Sequence, residues 1–256
     1  MPALKQKIAI SLLLLSITPS VLSSELKSGY EFLTPMSREM QDDEFSNPGM
    51  STVDKGRNLF NEKGVNDKTC ADCHGKEGEI FNAKSLARYP IYDDDENRPI
   101  TLQEKINLCG EDQLDNVPYV PECIDLVALE TFVRYLARGE AINVDISGPM
   151  KKHYDAGEKL YFSRIGQYGM SCAHCHVYNQ GKKLRGQTLS QGQTNGFPEY
   201  RLGPGKVVGI HTRVQECFSS FRAEPYGLGS EELINLEVYL NAKGNSLKVE
   251  TPAVRY

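Results

Sequence analysis

"CADCH" at Cys70–His74 and "CAHCH" at Cys172–His176 decide how the whole chain is read. Both fit C-x-x-C-H, in which two thiols add across the vinyl groups of a haem and the adjacent histidine offers its imidazole to the iron. Redox dithiols and half zinc sites share the paired cysteines, but neither calls for a histidine directly after them. The expectation is two covalently bound haem c groups. Cys70, Cys73, Cys172 and Cys175 attach them, and His74 and His176 are the proximal axial ligands.

The flanks of the two motifs repeat as well. "VDKGRNLF" (Val53–Phe60) precedes the first and "YDAGEKLY" (Tyr154–Tyr161) the second, so Asp54, Gly56, Leu59 and Phe60 match Asp155, Gly157, Leu160 and Tyr161. Leu59 and Phe60 fall three and four residues after Gly56, the spacing of one apolar helix face. Further on, Leu129, Phe132, Tyr135 and Leu136 match Leu233, Leu236, Tyr239 and Leu240, ahead of glycine stops at Gly139 and Gly244. Ser230 opens the last helix as an N-cap. Helix, attachment motif, long loop, helix is the layout of a small cytochrome c domain. It occurs twice about 100 residues apart, too far for a solenoid period. The expected fold is mainly α: two tandem cytochrome c-like domains with long loops, at 24–148 and 149–256, with a boundary near Ser147–Pro149. The polar, Pro/Gly-marked leader of the first reads as an extended N-terminal arm on the surface.

Residues 1–23 read as a signal peptide: Lys5 and Lys7, then the apolar run "IAISLLLLSI", then small residues. A membrane anchor needs roughly 20 apolar residues, and Thr18, Pro19 and Ser20 interrupt this run too early. No later segment reads as a membrane span. Loss of residues 1–23 removes two lysines and no acid, taking the formal charge from −5 to −7. So acidic a chain lacks the electrostatic grip for nucleic acid. It suits soluble partners with basic patches.

The distal side of each iron sets its chemistry. Methionine, the usual soft donor, is poorly placed: none follows the second motif, and after His74 none appears until Met150. The donors in range are Cys109 and Cys123 for the first haem, and His211 and Cys217 for the second. The repeat favours Cys109 and Cys217, which lie in equivalent loops between attachment motif and closing helix. A Cys109–Cys123 disulfide and ligation by His211 stand as the alternatives. A thiolate ligand stabilises ferric iron, and a thiolate able to leave the metal is a ready nucleophile.

"HTRVQECFSSFRAEPYGLGSEELINLEVYL" (211–240), "ETPAVRY" at the terminus and "LQEKINLCG" (102–110) resemble the SoxA family. These are the dihaem or monohaem chains of the SoxAX cytochromes, which start thiosulfate oxidation in sulfur bacteria. The resemblance covers essentially the whole mature chain. It implies an L-cysteine S-thiosulfotransferase of the periplasm that joins thiosulfate oxidatively to a cysteine of a SoxYZ-like carrier. Electrons leave through haem to a SoxX-like monohaem cytochrome partner. It further implies Cys217 as catalytic residue, found as a persulfide, and as axial ligand. It makes Arg213 the substrate-binding residue and Cys109 the axial ligand of the other haem. Independently, the fork of Arg213 suits a sulfonate-like dianion one helical turn from Cys217. The competing reading is a periplasmic dihaem electron-transfer cytochrome without sulfur-transfer activity.

Other residues get structural readings. Cys123 is a buried thiol or a partner-linked one, His153 is solvated near the linker, and His174 fills the loop at a haem edge. Arg201 and Arg222 widen a positive entrance, with a salt bridge to Glu224 or Glu231 as the alternative for Arg222, and Tyr226 is a candidate pocket residue.

Overall fold

The computed structural model describes residues 25–256, so the signal-peptide expectation for 1–23 lies outside the described residues. After a 3₁₀ turn at Gly29–Phe32, the helices and strands run in order: α1 (Pro35–Asp42), α2 (Met50–Phe60), α3 (Cys70–His74), α4 (Ala83–Leu86), β1 (Ile91–Asp93), β2 (Arg98–Ile100), α5 (Leu102–Leu114) and α6 (Ile124–Tyr135). The second half follows with α7 (Met150–Phe162), α8 (Cys172–His176), β3 (Lys183–Leu184), β4 (Gln187–Thr188), β5 (Glu199–Arg201), β6 (Lys206–Val208), α9 (Ile210–Ser220), α10 (Glu231–Lys243) and β7 (Ala253–Arg255). The architecture is mainly helical and duplicated, as the repeated motifs lead one to expect.

Each half is built on one crossing of two helices, α2 on α6 and α7 on α10. The matched glycines sit where these helices cross. A Cβ on Gly56 would lie 2.0 Å from the Ala128 carbonyl oxygen, and one on Gly157 would lie 2.0 Å from that of Asn235. The first core gathers Val53, Phe60, Leu129, Phe132 and Val133; the second gathers Tyr161, Phe218, Leu233, Leu236, Tyr239 and Leu240. Burying a side chain of this size stabilises by about 1.5–3 kcal/mol before entropy is charged against it. Ser230 caps α10 by accepting from Leu233 N–H. Helix α6 stops at Tyr135, short of Gly139, whereas Gly244 does terminate α10.

The leader packs on the surface, and it contains helix α1 as well as extended chain. Thr34 is its N-cap and Pro35 its first residue, a start signal that also reads as a chain breaker. The arm ties to the C-terminal strand: Gln41 Oε1 accepts from Val254 N–H at 3.1 Å, and Asn47 donates to the Pro252 carbonyl at 2.9 Å. That strand, β7, runs parallel to β5, which pairs antiparallel with β6. Among the described residues no helix is long and apolar enough to cross a membrane.

Candidate functional site

In the second half, α8 presents Cys172, Cys175 and His176 to a cavity of about 420 Å³, within the range of cofactor pockets. Arg213, Val214 and Cys217 of helix α9 line the same cavity. His176 is oriented by backbone. Its Nδ1 lies 3.0 Å from the Ser190 carbonyl oxygen, which can only accept, so Nδ1 carries the proton and Nε2 keeps its lone pair. Burial lowers the His176 pKa and keeps the ring neutral, the metal-ligating form. Gly192 closes against the ring: at φ +78, an added Cβ would come within 2.8 Å of its Cγ. Lys243 Nζ donates to the Gln191 carbonyl at 2.6 Å and steadies this loop; burial pulls its pKa down to about 8.

Thiol, thiol and oriented imidazole on one short helix, with a cavity beside them, fit a covalently held haem. Burial pushes the Cys172 thiol up to about 12, with the nearby Cys217 charge adding to it. Cys217 lines the same cavity as both attachment cysteines, and Cys175 too is raised, first by burial and then by the Cys217 charge. Arg213 donates from Nη1 to Glu216 at 3.3 Å. Burial opposes its charge, but Cys217, Glu199 and Glu216 outweigh that and raise its pKa. Arg201, Arg255 and Glu199 line the same cavity, and Arg201 is paired with Glu199 at 3.0 Å. Arg255 is committed elsewhere, donating to Gln41, to Glu250 at 3.1 Å and to the Val254 carbonyl.

In the first half, α3 carries Cys70, Cys73 and His74 behind a capping box of Thr69 and Asp72. The His74 ring stacks on Phe81 at 4.0 Å, and burial lowers its pKa. Cys109, on α5, faces this helix: its charge, after burial, raises the Cys70 thiol. Lys105 occupies the position four residues before Cys109, with Nζ 3.9 Å from Asp93 Oδ2.

Several expectations need correction. His211 does not face the cavity: it is buried against α10, its Nε2 3.1 Å from Glu237 Oε2, and its Nδ1 accepts from Gly229 N–H at 3.2 Å. No Cys109–Cys123 disulfide forms. All seven cysteines are free, and Cys123 caps α6 by accepting from Leu126 N–H at 3.5 Å. His153 is buried, 2.8 Å from Asn235 Oδ1. Arg222 lies over the Tyr168 ring at 5.1 Å and donates to Gln167 at 3.4 Å, with neither expected carboxylate as partner. Tyr226 packs edge-on against Phe218 at 5.7 Å. His174 has an unforeseen part in the local cap, with Nδ1 2.7 Å from Ser171 Oγ and Nε2 3.1 Å from Arg164 Nη2. The loop Ser190–Gly192 and Glu199 were missed altogether. The loop acts through backbone and Glu199 pairs with Arg201 two residues on, and no motif marks either as part of a site.

The cytochrome c domain of the SoxA/TsdA family matches residues 55–142 and 156–249. This chain belongs to the SoxA family. A SoxA relative from Pseudaminobacter salicylatoxidans is 38% identical over 231 residues, covering 89% of this chain and 80% of that one. One from Paracoccus pantotrophus is 34% identical over 230 residues, covering 90% and 79%. Both relatives are named L-cysteine S-thiosulfotransferase subunit SoxA. The crystal structure of SoxXA from P. pantotrophus superimposes with a TM-score of 0.83 at 33% identity, covering 90% of this chain and 86% of that one. SoxA membership makes c-type haem the cofactor and accounts for two cytochrome c domains in one chain.

Proposed function

We propose that this chain is an L-cysteine S-thiosulfotransferase subunit that conjugates thiosulfate to a cysteine of a SoxYZ-type carrier. It works beside a SoxX-like monohaem cytochrome. The observation that carries the reading is Cys217 and Arg213 one turn apart on α9, both lining the cavity that Cys172, Cys175 and His176 also line. Cys70, Cys73 and His74 would hold a first haem, with Cys109 as a further ligand to it. Cys172, Cys175 and His176 would hold a second, with Cys217 as its further ligand. Residues 1–23 direct export to the periplasm, and the domains divide at 148/149.

Arg213 holds the sulfonate oxygens of thiosulfate through its planar fork. Arg201 is paired with Glu199 and Arg255 with Glu250, so the wall group with a donor left for an anion is Arg213, which gives Nη1 to Glu216. The Cys217 thiolate and the sulfane sulfur of thiosulfate form one S–S bond, giving Cys217–S–S–SO₃⁻ and releasing two electrons. Bound haem supplies the one-electron route by which these leave toward the partner cytochrome. The carrier thiolate then attacks the sulfane sulfur, the S–S bond to Cys217 breaks, and Cys217 leaves as thiolate. A persulfide on Cys217 is the species left if water attacks the sulfonate sulfur, the S–SO₃ bond breaks and sulfate departs.

The test weighs the carrier after incubation with thiosulfate, the haem-loaded chain and its cytochrome partner. We expect a gain of one S₂O₃ unit, abolished by Cys217→Ser at unchanged haem content. Conjugation at the normal rate by Cys217→Ser eliminates the sulfur-transfer reading in favour of plain electron transfer.

A further inference from the structure

Helix α9 begins without a cap of its own. Its N-cap is Gly209, which has no side chain to serve the first-turn N–H groups. Its counterpart in the first half, α5, opens on a full capping box: Thr101 accepts from Glu104 N–H at 3.2 Å, and the Glu104 carboxylate accepts from Thr101 N–H at 2.8 Å. The two helices are otherwise comparable, with Lys105 and Cys109 on α5 spaced as Arg213 and Cys217 on α9.

The missing acceptor comes from the other half of the molecule. Glu122, in the loop before α6, accepts from Thr212 N–H through Oε2 at 3.2 Å, the position an N-cap oxygen ordinarily serves. The approach is so close that a Cβ on residue 209 would lie 2.2 Å from Glu122 Oε1. Glycine at 209 is what admits the foreign carboxylate. Glu122 is itself fixed in place. Its backbone sits at φ 62, a left-handed conformation uncommon outside glycine. Gln103, on α5, accepts from Glu122 N–H at 3.0 Å and donates to its Oε1 at 3.0 Å. A chain of contacts thus runs from the helix of Cys109, through Glu122, to the turn where Arg213 follows Thr212.

We propose that Glu122 is a positioning residue for the second site: the first half supplies the N-cap of α9 and so sets where Arg213 stands. The proposal rests on the reading of Arg213 as the oxyanion-holding residue. It gives the first half a part in the reaction that does not depend on electrons passing through its haem.

The experiment measures thiosulfate conjugation by the haem-loaded chain with its cytochrome partner. Glu122→Ala should raise KM for thiosulfate about tenfold, short of the roughly hundredfold that a 1 Å misplacement costs, with a smaller change in kcat. Placed on Arg213→Met, it should add nothing further to KM, because both act through one group. Gly209→Ser in the Glu122→Ala background restores a cap in cis and should bring KM back toward wild type. Glu122→Gln keeps an acceptor oxygen and should stay near wild type. An unchanged KM in Glu122→Ala, a further rise on top of Arg213→Met, or no recovery with Gly209→Ser overturns the proposal. An unaltered KM in Arg213→Met removes the oxyanion reading itself and the proposal with it. A normal Arg213→Met effect beside an inert Glu122→Ala sinks the positioning role alone.

Discussion

Gly157→Ala sets two effects of known size against each other. In a free helix the change stabilises by about 1 kcal/mol, because alanine loses less backbone entropy than glycine. Here the new Cβ would stand 2.0 Å from the Asn235 carbonyl oxygen, 2.7 Å from its carbon and 2.9 Å from Tyr239 Cβ. Contact distances run at about 3.5–4.0 Å, and the obstacle is backbone, so no rotamer relieves it. Helices α7 and α10 must part by about 1.5 Å, loosening Tyr239 from Tyr154 and Tyr161, whose rings lie 5.2 and 5.1 Å away. Overpacking costs about 3 kcal/mol at the upper end of its usual range; less the helix gain, about 2 kcal/mol of destabilisation remains. For this size of chain that lowers Tm by about 4–8 °C, read by far-ultraviolet circular dichroism on the haem-loaded protein. Gly110→Ala is the internal control. Gly110 lies within α5 and its added Cβ meets only Asn116 Cβ at 3.9 Å, so Tm should rise slightly. If Gly157→Ala stabilises as Gly110→Ala does, the close helix crossing does not exist in solution.

Three further outcomes follow from the same geometry. Gly192→Ala, at φ +78 and against the His176 ring, should retain covalent haem yet alter the low-spin electron paramagnetic resonance signal of the second site; an unchanged spectrum denies that this loop orients His176. Lys243→Met removes the donor to the Gln191 carbonyl and, on the two-haem proposal, should shift the reduction potential of the haem at His176 while leaving that of the other in place, which redox titration resolves. The Glu130 carboxyl is raised to about 8 by burial, with the charges of Glu237 and Glu122 adding to it. Between about pH 4.5 and 8 the native state keeps a proton that the unfolded state has lost, so stability should fall as pH rises through this window. Urea midpoints at about pH 5 and 8 should differ in the wild type and converge in Glu130→Gln; equal wild-type midpoints would contradict the assignment.

The duplication was legible because it repeats residue types that few other arrangements use together. C-x-x-C-H followed by an apolar helical face appears twice, and the paired positions Leu129/Leu233 and Phe132/Leu236 are all buried. Gly56 and Gly157 were visible as a matched pair, but their purpose is a contact across some seventy residues of chain, which no window of sequence displays. The same holds for the cavity. Cys217 and Arg213 belong to one helical turn and announce themselves by spacing, whereas Ser190 holds His176 through a carbonyl that every residue possesses. His211 misled for the opposite reason. Its identity matches a common iron ligand, yet its place on α9 turns it to Glu237 and away from Cys217. Side-chain type proposes a ligand; helical phase decides whether it can serve.

The two halves differ where their architecture does not. Both set a cation four residues before a half-buried cysteine, on a helix facing an attachment motif. In the first half the cation is Lys105, a single ammonium turned toward Asp93 at 3.9 Å, on a helix capped by its own Thr101. In the second it is Arg213, which spends one guanidinium nitrogen on Glu216 and lines a cavity whose other charged residues are Arg201, Arg255 and Glu199. A point charge held by a carboxylate already has its partner, while a planar fork with donors to spare can take a second anion. One scaffold therefore yields two sites of unlike charge, and on the proposed reading the second, where Arg213 and Cys217 line one cavity, is the one that takes the anionic sulfur compound.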